Sequence, residues 1–290
     1  MSLVLIVNPS AGGGRAGRNL PGVEAALRRR RLDYRVERTQ SLEHAREMAR
    51  AAAATGDTAV AFGGDGLIGA VAGALHERGG VLGVLPGGRG NDFARTLGLP
   101  LEPQAACEVL ATGAVRALDL GEAAGKAFIG IASCGFDSDA NRIANDARLV
   151  RGNLVYAYGA LRALAAWQPA AFSVRFDGGE PKRAVGYTVA AANSKAYGGG
   201  MWLAPAAALD DGLLDVVIVS HVPKLRFLRL LPTVFKGEHV RQPNVEVSRA
   251  REIEISAERP FTLYADGDPV ASLPVKVRAL PGAVRVIVPR

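Results

Sequence analysis

The 290 residues carry a net charge of +7, with 49% hydrophobic and 22% charged residues, the composition of a folded chain with core enough for one large or two medium domains. No uncharged apolar stretch nears the roughly 18 residues of a spanning helix, and Cys107, Cys134 and four scattered histidines offer neither a disulfide framework nor a His-based zinc site. The positive charge favours an anionic partner, a nucleotide or an anionic membrane surface; nucleic acid is disfavoured, because aromatics are only 6% and no basic run is interleaved with them.

The opening residues lack a basic leader and a cleavage site and read as a first strand, which with thiols of reduced type points to the cytoplasm. After the buried run Leu3–Val7 comes Asn8-Pro9-Ser10-Ala11-Gly12-Gly13-Gly14-Arg15-Ala16-Gly17. Gly12-x-Gly14-x-x-Gly17 matches a dinucleotide fingerprint, with Glu37 where a ribose-binding acid belongs. Asn8-Pro9 separates strand from glycines, however, so the segment reads first as a flexible loop facing phosphate. A helix is expected over 21–30, with Arg28-Arg29-Arg30-Arg31 at its C-terminus, where cations favour the dipole. A strand over Tyr34–Arg38 and a helix capped by Ser41 follow, the latter with Leu42, Ala45, Met48, Ala49 and Ala52 on the helical period.

Residues 59–62 read as a doubly buried strand that breaks into Gly63-Gly64-Asp65-Gly66 before a helix over 67–75. Three glycines let backbone amides approach an anion, and the helix start adds partial positive charge. Asp65 then positions a metal ion or a nucleotide, or simply caps the helix. A second strand, 81–85, ends in Pro86-Gly87-Gly88-Arg89-Gly90-Asn91-Asp92-Phe93-Ala94-Arg95, with Asn91 or Asp92 as cap. Consecutive parallel strands deliver such loops to one sheet edge, where ligands bind. A helix over 103–111 and a strand over 115–120 complete an α/β alternation that predicts an open parallel sheet over residues 1–120.

From 121 to 290 the pattern changes to short β-like runs: 127–133, 171–176, 186–192, 213–220, 252–256, 261–265, 275–279 and 284–288, interrupted by a helix over 140–166. This predicts an antiparallel β-sandwich domain meeting the first across a cleft. Asn193-Ser194-Lys195-Ala196-Tyr197-Gly198-Gly199-Gly200-Met201 holds more glycine than a turn needs. Leu209-Asp210-Asp211-Gly212-Leu213 is either an Asx-type hairpin or an oxygen-rich site for a hard divalent cation. In Tyr264-Ala265-Asp266-Gly267-Asp268 two acids on one strand would share a face, an arrangement suited to general-base work. Residues 222–236 mix large apolar residues with four cations. They form a helix from Pro223 with Leu225, Leu228 and Leu231 on one side, either packed on the domain or lying on an anionic membrane.

In this order and over nearly the whole chain, these motifs resemble the diacylglycerol kinase catalytic-domain family, which includes bacterial lipid kinases and sphingosine and ceramide kinases. The resemblance implies a nucleotide-binding α/β domain, a C-terminal β-sandwich, and ATP- and Mg²⁺-dependent phosphorylation of a lipid hydroxyl in the cleft. Carried over by motif, Asn8, Thr39, Gly63, Gly64, Asp65, Gly66, Leu67, Ile68, Gly69, Arg89 and Asn91 would bind ATP. Asp211, with the carbonyls of Ala208 and Leu213, would hold a structural Mg²⁺. Asp268 would be the catalytic base, with Asp65 serving the phosphates. Leu67, Gly69 and Arg89 stand where the family commonly has threonine, asparagine and threonine, and Asp268 where it has glutamate. Diacylglycerol is the first expected substrate; a sphingosine- or ceramide-type lipid, NAD, or a non-catalytic sensor role are the alternatives. Peripheral contact with the inner face of the membrane and a homodimer are further expectations.

Overall fold

The computed structural model describes residues 2–136, 138–139 and 164–290. Of the helix expected over 140–166, only 164–166 falls within them, and these three are helical. Strands β1 (Leu3–Val7), β2 (Tyr34–Arg38), β3 (Thr58–Gly63) and β4 (Val81–Pro86) are parallel in the order β2-β1-β3-β4. β1, β3 and β4 are buried at every residue because helices cover both sheet faces. β2, at the edge, carries Tyr-Arg-Val-Glu-Arg and no buried residue. The connecting helices are α1 (Ala11–Arg29), α2 (Leu42–Ala54), α3 (Asp65–His76), α4 (Asp92–Thr96) and α5 (Pro103–Thr112). Ser41 caps α2 as expected, its Oγ accepting from His44 N at 3.1 Å. α3 is apolar nearly all round because it lies between the sheet and the second domain, with only Asp65, Gly66, Gly73 and His76 short of full burial.

β5 (Ala114–Ala123) leads into the antiparallel part: β6 (Lys126–Phe128), β7 (Ile131–Gly135), β8 (Ala170–Phe176), β9 (Pro181–Ala192) and β10 (Leu214–Ser220). After helix α6 (Lys224–Val234) come β11 (Val245–Ala250), β12 (Glu252–Ala257), β13 (Thr262–Ala265), β14 (Asp268–Ser272) and β15 (Val275–Val288). A second core gathers Phe172, Tyr187, Ile253 and Leu263. Tyr187 stacks on Phe227 at 3.9 Å and donates its hydroxyl to Val222 O at 2.8 Å.

Several expectations change. The run 127–133 is two strands, β6 and β7, and the helix expected over 21–30 begins before Pro21, which lies inside α1. The runs 275–279 and 284–288 are halves of one strand, β15, whose register shifts between Leu280 and Val284. Its first half pairs with β12 and its end pairs in parallel with β4, so the C-terminus completes the sheet of the first domain. Polar strands β11 and β14 were not foreseen, since their alternation holds few large apolar residues. Asp266 and Asp268 do not share a strand face. Asp266 (φ +50°) and Gly267 (φ +93°) form the tight turn between β13 and β14, which puts Asp268 on the returning strand.

Candidate active site

Three glycine loops stack where β1, β3 and β4 end. Gly12, Gly13 and Gly14 all have left-handed φ, so the regular part of α1 starts beyond them and the segment is a loop, as its sequence suggests. A Cβ on Gly12 would lie 2.6 Å from Gly87 O, and one on Gly88 would lie 2.5 Å from Gly64 Cα. Only glycine permits that approach. Gly87 N also donates to Gly63 O at 2.8 Å.

Asp65 is the first residue of α3, and Gly64 occupies the cap. Its Oδ1 accepts from Phe93 N at 3.0 Å, which ties the first acidic loop to the second. Asn91, in left-handed conformation (φ +53°), does not cap α4 with its side chain. It spends its amide on the loop, accepting from Gly88 N at 2.8 Å and donating to Gly88 O at 3.2 Å. Arg89 projects exposed from the same loop. Asn8 accepts from Ser10 N, and Thr39 Oγ1 donates to Ser41 O at 2.5 Å, so both shape the sheet edge. Leu67 and Ile68 turn their side chains into the first core, leaving only their backbone to a ligand. Gly69, one turn after Asp65, faces Asp266: a Cβ there would lie 3.2 Å from Asp266 Oδ2.

The second domain meets this edge at Asp92, through Gly199, and at Gly69, through Asp266. Asp92 is buried, and its Oδ2 accepts from Gly199 N at 2.8 Å, joining the second loop to the glycine cluster 198–200. Its Oδ1 has no hydrogen-bond partner among the described residues. Burial pushes its pKa up, and Asp65 adds repulsion. Asp266 accepts from Ile129 N and Gly130 N, each at 2.8 Å. Burial, with Asp65 adding repulsion, raises its pKa to about 7. Asp268, two residues on, is exposed at the start of β14. Asp266 therefore anchors the hairpin that presents Asp268.

The Asp211 loop lies apart from these acids. Asp211 is exposed, its Oδ1 accepting from Leu213 N at 3.0 Å, while Oδ2 stands 3.9 Å from Arg249 Nη1. That is the Asx turn foreseen as one alternative. One carboxylate with the carbonyls of Ala208 and Leu213 is an all-oxygen donor set, the chemistry of a hard cation that keeps several waters. Arg249 competes for the same carboxylate. Among the described residues no group of three His, Cys, Asp or Glu side chains is placed to hold a metal. The sequence reading missed Asp119. It is buried and pins two turns, accepting from Gly212 N and Gly282 N at 2.7 Å each. A lone acid in an apolar strand was its only signal.

A family model described as the diacylglycerol kinase catalytic domain matches residues 2–123, and the YegS C-terminal NAD kinase beta sandwich-like domain matches residues 130–288. A diacylglycerol kinase of Mycobacterium tuberculosis is 36% identical over 296 residues, covering 98% of this chain and 94% of that protein. The chain belongs to the diacylglycerol kinase family. This lipid kinase is also 33% identical to a probable YegS-like lipid kinase of Pseudomonas fluorescens, over 92% of its own length and 90% of the relative's. In fold it matches a putative diacylglycerol kinase from Bacillus anthracis with a TM-score of 0.83 at 24% identity, covering 99% and 95% of the two chains. The two-domain architecture expected from the motifs is the one found. No helix among the described residues is long and apolar enough to cross a membrane.

Proposed function

We propose that the kinase transfers the γ-phosphate of ATP, with Mg²⁺, to a lipid hydroxyl, with diacylglycerol the first candidate and phosphatidic acid the product. The observation that carries this is the convergence of Asp65, Asp92 and the Asp266 hairpin on the glycine-lined edge of the parallel sheet. Phosphoryl transfer needs a cradle for the phosphates, charge neutralisation and a carboxylate that takes the hydroxyl proton. Backbone amides of 63–66, at the positive end of α3, would cradle the phosphates, flanked by the Asn8 and Thr39 edge. Arg89 would add a charged contact in place of the family's threonine. Mg²⁺ bound with the nucleotide would supply charge neutralisation, and Asp65 would help to hold it. Asp268, held out by the Asp266 anchor, would accept the proton at its carboxylate. A second Mg²⁺ held by Asp211 with the carbonyls of Ala208 and Leu213 would serve the fold, remote from the phosphates.

The test is ATP-dependent phosphate incorporation across diacylglycerol, monoacylglycerol, sphingosine, ceramide and NAD, with Asp65→Asn alongside. Diacylglycerol should be labelled and Asp65→Asn should abolish labelling with the fold intact. Near-normal turnover in the folded variant would reduce Asp65 to a strut beneath Phe93.

A further inference from the structure

The helix α6 and the residue that follows it leave apolar surface in water. Only Phe227 of α6 is buried, where it stacks on Tyr187 and meets Phe136 edge to face, and Leu231 packs against the same core. Leu225 is 73% exposed, Leu228 39% and Phe235 55%. The sequence reading placed Leu231 with Leu225 and Leu228 on one side; in the structure Leu231 turns inward and the other two turn out. Lys224, Arg226, Arg229 and Lys236 are exposed around them, and residues 221–237 contain no acid. Three large exposed apolar side chains share this stretch with four exposed cations, of which Lys224 also donates to Ala165 O at 2.8 Å, and the next acid along the chain is Glu238. That is more apolar surface than a packed amphipathic helix shows on its solvent side.

The position of this surface ties it to the site. Val234 O accepts from Trp202 N at 2.9 Å, at the end of the segment whose Gly199 bonds Asp92. Asp92 opens α4 beside Phe93, whose amide is held by Asp65. A short run of hydrogen bonds thus joins the end of α6 to the acidic loops.

We propose that the outer face of α6, with Phe235, docks on an anionic bilayer surface and so brings the cleft to a membrane-embedded lipid. The occupant follows from charge: cations near an anionic leaflet are attracted to headgroups while Leu225, Leu228 and Phe235 enter the interface. The lipid-kinase reading of the cleft gives this docking its purpose, but docking is measurable without turnover.

The experiment is co-sedimentation of the full chain with vesicles of phosphatidylcholine alone and of an equimolar phosphatidylcholine–phosphatidylglycerol mixture, at low and high salt. Binding should favour the anionic vesicles and fall with salt, as surface charges are screened. Arg226→Gln/Arg229→Gln should weaken binding about 30-fold, each cation near the surface being worth about 1 kcal/mol. Leu225→Gln should weaken it as well, and both variants should keep wild-type activity on a short-chain, soluble diacylglycerol. Equal vesicle binding by wild type and variants would overturn the proposal. So would a change of oligomeric state in Leu225→Gln/Leu228→Gln by sedimentation velocity, which would make this face a subunit interface. A chain that binds anionic vesicles through α6 yet phosphorylates no lipid would leave docking standing and remove the kinase reading. Activity on soluble lipid with no vesicle binding would do the reverse.

Discussion

Ionisation of Asp266 should weaken the fold as pH rises through neutrality. The carboxyl sits against Gly69 and Gly130, beside Asp65, and its pKa is raised from 3.8 to about 7. Below about pH 4 both folded and unfolded chains carry this proton, and its contribution to stability is complete. Between about 4 and 7 the unfolded chain releases the proton while the folded chain keeps it, so stability declines with pH; above 7 the contribution is gone. A shift of about 3 units at 1.36 kcal/mol per unit sets a ceiling of about 4 kcal/mol. The turn can relax around the ionised carboxylate, which keeps the loss below that ceiling, and about 2 kcal/mol is the expected loss. Asp92 and Asp215, both raised chiefly by burial, titrate with the same sign. The comparison must therefore be between wild type and Asp266→Asn. Asparagine keeps an acceptor for one of the two amides and cannot ionise. Urea unfolding across pH 4–8 should show the extra decline in wild type and its absence in the variant. The variant should also start less stable at low pH, having lost one amide bond worth about 1 kcal/mol. Parallel stability curves would refute the reasoning and leave Asp266 as an ordinary turn residue.

Asp268→Asn should lower kcat about 10²-fold or more with little change in nucleotide affinity, while Asp268→Glu keeps or raises the rate; full activity in Asp268→Asn would move the base elsewhere. Arg89→Ala should weaken ATP binding by about 1.5 kcal/mol, the lower end for a charged hydrogen bond because the side chain is exposed, and unchanged affinity by titration calorimetry would show that it points away from phosphate. Asp211→Ala loses the bond from Leu213 N and should lower Tm by about 2–4 °C, with no further rise on adding Mg²⁺. Melting that still climbs with Mg²⁺ as in wild type would remove the ion from this loop and leave Arg249 as the positive partner of Asp211.

The first domain was legible because its physics is local. Doubly buried strands are unbroken apolar runs, and the glycine loops at their ends announce themselves. What β15 does could not be read in the same way. Pro281-Gly282 looks like a turn, yet β5 pairs with both halves of β15, and Asp119 accepts from Gly282 N across 163 positions where the register shifts. Asp92 was read as a local cap, whereas its partner is Gly199, more than a hundred residues on. Asp266 and Asp268 invited a period-2 reading that Asp-Gly turn chemistry overrode, since both turn residues take positive φ.

These acids also explain why the site and the least favourable electrostatics of the fold coincide. Asp65 raises the pKa of both Asp92 and Asp266, and burial raises each further. A chain optimised for stability alone would replace such a cluster with apolar side chains, since buried charge is seldom a net gain. Each acid is instead held by backbone amides, Asp65 by Phe93 N, Asp92 by Gly199 N, and Asp266 by Ile129 N and Gly130 N. Asp92 bonds across the domain seam, while Asp65 and Asp266 each join two loops of one domain, so relaxing the repulsion by side-chain rotation would break bonds that tie these loops together. On the proposed function, nucleotide phosphates arriving with a divalent cation would relieve the same repulsion, and ligand binding and domain closure would then stabilise one another.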